Sequence, residues 1–200
     1  MSKAKTRLRI VLRVALVLFL ITLVAGGYYG YWDQVDCRFR AVSPGRAYAS
    51  ARMPPATLKK FVRKYGIRSV VDLRESIDEK PSAAIEDEGI ALAEIGVRHH
   101  RLPTPQVPSD ETVSRFVEIL GDPENIPVLI HCYHGQGRAV LFSALYRIEV
   151  EGWDPERAWQ ATRLVLKGSS FDRDCEKGKY LIEYEPLREQ DPESTAGERR

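Results

Sequence analysis

A cysteine and an arginine stand at the two ends of a seven-residue segment, Cys132–Arg138, which contains two glycines. The preceding Pro127–His131 is short and apolar, as a buried strand would be, and residues 139–148 have the pattern of a helix. A glycine-bearing loop between a strand and a helix directs several backbone N–H groups at one point, where the helix dipole also favours negative charge. Arg138 could donate two hydrogen bonds to an anion bound there, and Cys132 would lie close to it as a thiolate. This arrangement suits phosphoryl transfer.

The loop resembles the signature of the cysteine-dependent protein tyrosine phosphatases, in which a His precedes the Cys and five residues separate the Cys from the Arg. The similarity extends over roughly residues 44 to 165 and is closest to the small atypical dual-specificity phosphatases of bacteria, plants and fungi. It is carried by three further segments, Ala47–Ser50, Gly66–Arg74 and Asp110–Arg138. A rhodanese-like sulfurtransferase also uses a loop cysteine, but its loop is typically one residue shorter.

The resemblance implies a role for each residue that matches the motif. Cys132 would be the nucleophile, Arg138 would bind the phosphoryl oxygens, and His131 would orient the loop. Asp110 lies 22 residues before Cys132, after a proline-rich loop, and would be the general acid. Glu111 is its rival for that role, and a helix N-cap is the alternative reading of Asp110. The phosphate-binding loop would consist of Tyr133, His134, Gly135, Gln136, Gly137 and Arg138.

One position departs from the family pattern. The residue after the arginine is usually Ser or Thr, whose hydroxyl helps the cysteine to leave from the covalent intermediate, but here it is Ala139. The departure puts the rate of the second step in question. It leaves open a second class of function, a membrane-anchored phospho-binding module that turns over weakly.

The resemblance also limits the cofactors and substrates that we expect. The chemistry needs no metal and no cofactor, because backbone dipoles and a guanidinium supply the positive charge. The loop carries no fixed charge besides Arg138, which favours phosphotyrosine or dual-specificity protein substrates, or a small phosphate ester. An inositol phosphate or phosphoinositide is the alternative. Adjacent strand residues face opposite sides, so His99 and His100 are not expected to share an ion, and Arg74 is expected to form a structural ion pair.

The N-terminal residues differ from the rest of the chain. Five basic residues precede Val14, no charged residue occurs from Val14 to Trp32, and aromatic residues cluster at the end of this run. Nineteen helical residues span about 28 Å, close to the roughly 30 Å of a bilayer core. We therefore expect a single-pass anchor with a cytoplasmic N-terminus and the catalytic domain on the opposite side. Cleavage after a signal peptide, giving a secreted or periplasmic protein, is the alternative.

The charge balance excludes one class of partner. The whole chain has a net charge of +2, but without the five N-terminal basic residues it has 25 Lys and Arg against 28 Asp and Glu. A slightly acidic domain has no basic excess for nucleic acid. Three cysteines are too few for a disulfide scaffold, and whether Cys37 and Cys175 pair stays open.

Alternating apolar patterns predict an α/β fold, a three-layer sandwich whose central, largely parallel sheet is flanked by helices and preceded by one transmembrane helix. The domains expected are an anchor at 1–32, a phosphatase-like catalytic domain at 33–187 and a polar, disordered tail at 188–200.

Strands are predicted at Arg46–Ser50, Ile67–Leu73, Val97–Leu102 and Pro127–His131. Helices are predicted at Thr57–Tyr65, Ala83–Ala93, from Ser109 or Asp110, at Ala139–Val150, Pro155–Leu166 and about 175–186. The loops after Leu73, Leu102 and His131 should then share one rim of the sheet.

Overall fold

A computed structural model describes residues 2–75, 82–162 and 169–187. The predicted end of the helix beyond residue 162 and the predicted tail at 188–200 lie outside the described residues. The chain divides into two compact units, Met1–Arg38 and Phe39–Arg200. All three cysteines, Cys37, Cys132 and Cys175, are free thiols.

The first unit contains one long helix, α1, which spans Ser2–Gln34. Its segment Arg7–Asp33 contains an 18-residue stretch with a mean hydropathy of 2.5 and is long and apolar enough to cross a membrane. A signal sequence near the N-terminus meets the same criterion. Length and composition therefore make α1 a candidate membrane span.

The second unit contains a five-stranded sheet with helices on both faces. The strands are β1 (Arg40–Ser43), β2 (Ala47–Ala51), β3 (Ser69–Asp72), β4 (Arg98–Arg101) and β5 (Val128–Cys132), in the spatial order β1-β2-β5-β3-β4. β1 is antiparallel to β2, and the other neighbouring pairs are parallel. The predicted α/β fold with a largely parallel sheet is confirmed.

The helices of this unit are α2 (Pro55–Tyr65), α3 (Ala83–Ala93), α4 (Asp110–Gly121), α5 (Arg138–Glu149), α6 (Pro155–Thr162) and α7 (Glu176–Ile182). Helix α5 packs on β2 and β5, and α6 and α7 pack on α5. Almost all of α5 is buried, since it lies between the sheet and other helices. On the other face of the sheet α3 packs against both α2 and β4.

The side chains of β5 point alternately to the two faces of the sheet. Val128, Ile130 and Cys132 join the core that α5 covers. Leu129 and His131 point to the opposite face, because successive side chains of a strand alternate. The two consecutive residues at the end of β5 therefore belong to different environments.

Two predicted elements need correction. The edge strand β1 was not predicted, because it is only four residues long and half-exposed and therefore has neither an apolar run nor a clear alternation. The last helix ends at Ile182 and does not reach residue 186. Pro186 disfavours a helical Glu185. The Tyr184 hydroxyl and the Leu187 N–H donate to Glu149 of α5, which holds this segment in a non-helical path.

Candidate active site

The loop 133–137 joins the central strand β5 to the N-terminus of α5. β5 lies between β2 and β3, and all five of its residues are buried. In open parallel sheets, ligands bind beyond the carboxyl ends of strands at the point where the strand order reverses. The fold therefore places the segment Cys132–Arg138 where a ligand site is expected.

Gly135 sets the path of this loop. Its φ is +63°, and a Cβ atom on it would lie 2.4 Å from the amide nitrogen of Ala51. Only glycine fits so close to the backbone of β2 in this conformation. The loop is also held by Arg40, whose guanidinium donates to the Gly135 carbonyl at 3.0 Å. Gly135 thus shapes the loop from its buried side.

The arginine at the end of the loop is anchored by the two neighbouring strand ends. The Nη1 atom of Arg138 donates to the carbonyls of Leu73 and Thr104, each at 2.9 Å, and lies 3.3 Å from a carboxylate oxygen of Glu75. These carbonyls belong to the loops after β3 and β4. The prediction that these loops share one rim with the loop after His131 is confirmed.

A cavity of about 240 Å³ opens over the loop. Cys132, only 3% exposed, lies at its base together with Arg138. The predicted loop residues Tyr133, His134, Gln136 and Gly137 also line it. Gly135 does not, because it turns toward β2.

Three further residues line the cavity that sequence reasoning did not select, Gln106, Ser170 and Lys177. Gln106 follows β4 in the proline-rich loop, so the argument that the loops share one rim of the sheet was the available signal for it. The Gln106 Oε1 atom would lie 3.4 Å from a Cβ on Gly137, and the Lys177 Nζ atom 3.2 Å from it. Lys177 lies 45 residues after Cys132, and no local pattern links the two.

Asp110 is exposed and is the first residue of α4. The helix is capped by Ser109, whose side chain accepts from the Thr112 N–H, so the N-cap reading of Asp110 is wrong. Asp110 is not among the residues that line the cavity. Burial raises the pKa of the Tyr180 and Tyr184 hydroxyls, and the carboxylates of Glu149 and Asp110 raise both pKa values further. Glu111 is also exposed.

On the other face of β5, His131 belongs to a buried group of charged residues, which we call the closed network: Asp72, Arg74, Glu88, His99 and His131. The Arg74 guanidinium donates to Asp72 at 2.7 Å and to Glu88 at 2.9 Å. The Nε2 atom of His131 lies 2.8 Å from Glu88 Oε1, although the two are not aligned as a hydrogen bond. The predicted structural ion pair of Arg74 is confirmed.

Within the closed network, two carboxylates share the guanidinium of Arg74. Burial alone would raise the pKa of Asp72, but interactions with His99 and Arg74 and the charge of His131 hold this pKa well below its usual range. Asp72, Glu88 and His131 also offer three ligand atoms within 4.8 Å of one another, as a metal site would. Arg74 already donates to both carboxylates and supplies the positive charge that a metal would bring. The contacts therefore favour an ion-pair network.

The two adjacent histidines of β4 face different partners. His99 lies 3.6 Å from both Asp72 and Glu88 in the closed network. His100 lies 3.1 Å from the side-chain oxygen of Asn125. The expectation that the two do not share one ion agrees with these separate environments.

Ala139 is fully buried in the first turn of α5, directly after Arg138. Its carbonyl accepts from the Ser143 hydroxyl at 2.5 Å. The hydroxyl of Ser143 is therefore engaged with the helix backbone and does not replace the one that is missing at position 139.

Comparison with known proteins gives a consistent family. A family model described as a DSP-PTPase phosphatase fused to NAD+ kinase matches residues 54–176. The dual specificity protein phosphatase TpbA of Pseudomonas aeruginosa strain UCBPP-PA14 is 39% identical over 91 residues, which are 44% of this chain and 40% of that protein. The match thus spans well under half of the relative's length.

Solved structures share the fold. The crystal structure of P. aeruginosa TpbA has a TM-score of 0.55 at 26% identity and covers 74% of this chain and 84% of that one. A TpbA variant in complex with phosphotyrosine has a TM-score of 0.56 at 23% identity and covers 82% and 99%. The catalytic domain of the PP-IP phosphatase SIW14 from S. cerevisiae, in complex with citrate, has a TM-score of 0.59 at 17% identity and covers 76% and 88%.

Proposed function

Since the chain belongs to the DSP-PTPase phosphatase family, we propose that it hydrolyses phosphate monoesters with Cys132 as the nucleophile. The observation that carries this proposal is the loop at the end of the central strand. Cys132 lies at the base of a cavity there, and Arg138 begins α5 beside it, anchored by two carbonyls. A thiolate, a guanidinium and a helix N-terminus in one cavity suit a phosphoryl group.

In the first step, the Cys132 sulfur attacks phosphorus and the bond from phosphorus to the leaving oxygen breaks. Arg138 and the backbone N–H groups of the loop bind the equatorial oxygens, whose charge develops in the transition state. The products of this step are phosphocysteine and the free alcohol.

Asp110 is proposed as the acid that protonates the leaving oxygen and as the base that then activates water. It does not line the cavity. Catalytic hydrogen bonds commonly become short only in the complex with substrate, so this placement is compatible with the role. Water cleaves phosphocysteine, which releases phosphate and restores the thiolate.

The proposed substrates are phosphotyrosine or dual-specificity protein substrates, or a small phosphate ester. Within the loop the side chains of Tyr133, His134 and Gln136 surround the cavity and add no fixed charge. The guanidinium of Arg52 lies 4.7 Å from the Tyr133 ring centre, which holds an aromatic surface at the entrance. A TpbA variant has been crystallised with phosphotyrosine, which supports an aryl phosphate as the first substrate to test.

A second candidate is a phospho-binding module with weak turnover. The observation that favours it is the fully buried Ala139, which offers no hydroxyl to the departing sulfur. Retention of Cys132 and Arg138 favours the enzyme, because binding alone needs no thiol.

For the N-terminal unit we propose a single-pass membrane anchor at residues 1–32, followed by the catalytic domain at 33–187 and a polar tail at 188–200. The five basic residues before Val14 favour a cytoplasmic N-terminus, with the catalytic domain on the opposite side. The candidate span Arg7–Asp33 supports this proposal.

The test uses the full chain in detergent micelles and an aryl phosphate. Cys132→Ser should lower turnover by about 10³-fold or more, since the nucleophile is lost. It should still bind inorganic phosphate, because Arg138 and the loop remain. The wild type should keep its activity in a strong chelator. Substantial turnover by the variant, or loss of activity that added metal restores, would contradict the mechanism.

A further inference from the structure

Lys177 reaches the cavity from α7, far along the chain from the loop. It is the second residue of that helix, whose start is fixed by a close backbone contact. A Cβ on Gly178 would lie 2.0 Å from the carbonyl oxygen of Asp172, so only glycine allows this approach. The contact between Gly178 and the segment before the helix thereby sets the position of Lys177.

The ammonium of Lys177 lies against the phosphate-binding loop. A Cβ on Gly137 would be 3.2 Å from the Lys177 Nζ atom, and the side chain lines the same cavity as Cys132 and Arg138. The Nζ atom also lies 5.8 Å from the ring centre of Phe171, whose side chain is buried. Geometry therefore places a second cation beside the loop in addition to Arg138.

Within the described ranges 2–75, 82–162 and 169–187, Lys177 forms no ion pair. Burial lowers the pKa of its ammonium, the charge of Cys132 raises this pKa, the charge of Arg138 lowers it, and the carboxylate of the neighbouring Glu176 raises it. Arg138, by contrast, already lies 3.3 Å from Glu75. An anion in the cavity would give Lys177 the partner that it lacks.

A charge count indicates which anion fits. A thiolate and a phosphate monoester dianion together carry three negative charges. A helix N-terminus contributes about half a positive charge, and Arg138 contributes one that Glu75 partly offsets. Lys177 adds the charge that the cavity otherwise lacks for a single dianionic group.

Resting on the proposed function above, we propose that Lys177 binds the reacting phosphoryl group together with Arg138. The cavity is thereby suited to the dianion of a phosphate monoester rather than to a monoanionic phosphodiester. The second cation comes from α7, outside the loop, so the loop sequence does not reveal it.

The test measures binding of inorganic phosphate to the full chain in detergent micelles, by titration calorimetry, in a Cys132→Ser background. Adding Lys177→Gln should weaken binding about tenfold or more, because a charge-assisted hydrogen bond to the anion is lost. Lys177→Arg should restore much of the affinity. Lys179→Gln is the matched control, since Lys179 is exposed on the same helix, and should change affinity less than about twofold. In the chain that keeps Cys132, Lys177→Gln should lower kcat/KM for an aryl phosphate by a similar factor.

Equal phosphate binding with Lys177 and with Gln at position 177 would overturn the inference. So would a loss seen only with a substrate that carries a second anionic group, because Lys177 would then serve a different part of the substrate. If the wild type hydrolyses an aryl phosphate while Lys177→Gln changes nothing, this inference alone fails. If the wild type neither turns over nor binds phosphate, the proposed function fails with it.

Discussion

Two groups of charged side chains lie on opposite faces of the end of β5, and they differ in how their charges are balanced. The closed network around His131 is buried, and Arg74 donates to two carboxylates within it. The group around Cys132, which we call the open group, comprises Cys132, Arg138 and Lys177 at the cavity. Within the described ranges, Glu75 is the only carboxylate at ion-pair distance from a cation of the open group. The cations of the open group therefore outnumber the carboxylates that pair with them.

The difference separates a structural role from a functional one. A buried charge must find a partner within the protein, or it destabilises the fold. A charge at a cavity can instead be balanced by a ligand. A cation that has no partner within the protein can bind an anionic ligand more strongly. This difference supports the proposals that His131 supports the loop and that Arg138 and Lys177 bind an anion.

The largest expected effect concerns the acid that the open group requires. Asp110→Asn should slow hydrolysis of substrates with poor leaving groups by about 10²–10⁴-fold, because the leaving oxygen then departs without a proton. Substrates with good leaving groups should be affected far less. Steady-state kinetics on alkyl and nitroaryl phosphates measure the contrast. An equal, small effect on both would contradict the role of Asp110 as the acid and make Glu111 the next residue to substitute.

The loop and its neighbours could be predicted from sequence because their signals are local. An apolar strand, glycines and a helical pattern are contiguous from Val128 to Glu149, and the alternation of strands and helices predicts a largely parallel sheet. The exposed edge strand β1 had no such signal.

The partners of the loop were less predictable, since they depend on how distant elements pack. His131 contacts Glu88 only because α3 covers that face of the sheet. Lys177 reaches the loop only because Gly178 of α7 lies against the backbone of Asp172. Neither contact leaves a pattern in the intervening sequence.

The closed network should matter for stability more than for binding. Glu88→Ala leaves Arg74 with one carboxylate and removes the carboxylate nearest to His131, and we expect it to lower the free energy of unfolding by about 3 kcal/mol or more. Urea unfolding of the full chain in micelles, followed by tryptophan fluorescence, measures this change. Glu86→Ala, an exposed position on the same helix, is the control and should cost no more than about 0.5 kcal/mol.

Substitutions in the two groups should have opposite effects on phosphate binding and on unfolding. Lys177→Gln should weaken phosphate binding with little change in unfolding, whereas Glu88→Ala should do the reverse in whatever fraction remains folded. If Glu88→Ala proved as mild as Glu86→Ala, the closed network would have no structural role and the division between the two groups would fail.

The smallest expected effect is at Ala139, where the open group departs from its family. If the missing hydroxyl limits breakdown of phosphocysteine, the wild type should release the leaving group in a burst and then turn over slowly. Ala139→Ser should raise the steady rate several-fold and shrink the burst, because a hydroxyl in the first turn of α5 can donate to the departing sulfur. Rapid-mixing kinetics measure both phases.

Ala144→Ser is the matched control, since it adds the same hydroxyl at another buried position of α5. The absence of a burst in the wild type, with no gain in the variant, would mean that another group already assists the thiolate, and Gln136 and His134, which line the same cavity, would be substituted next.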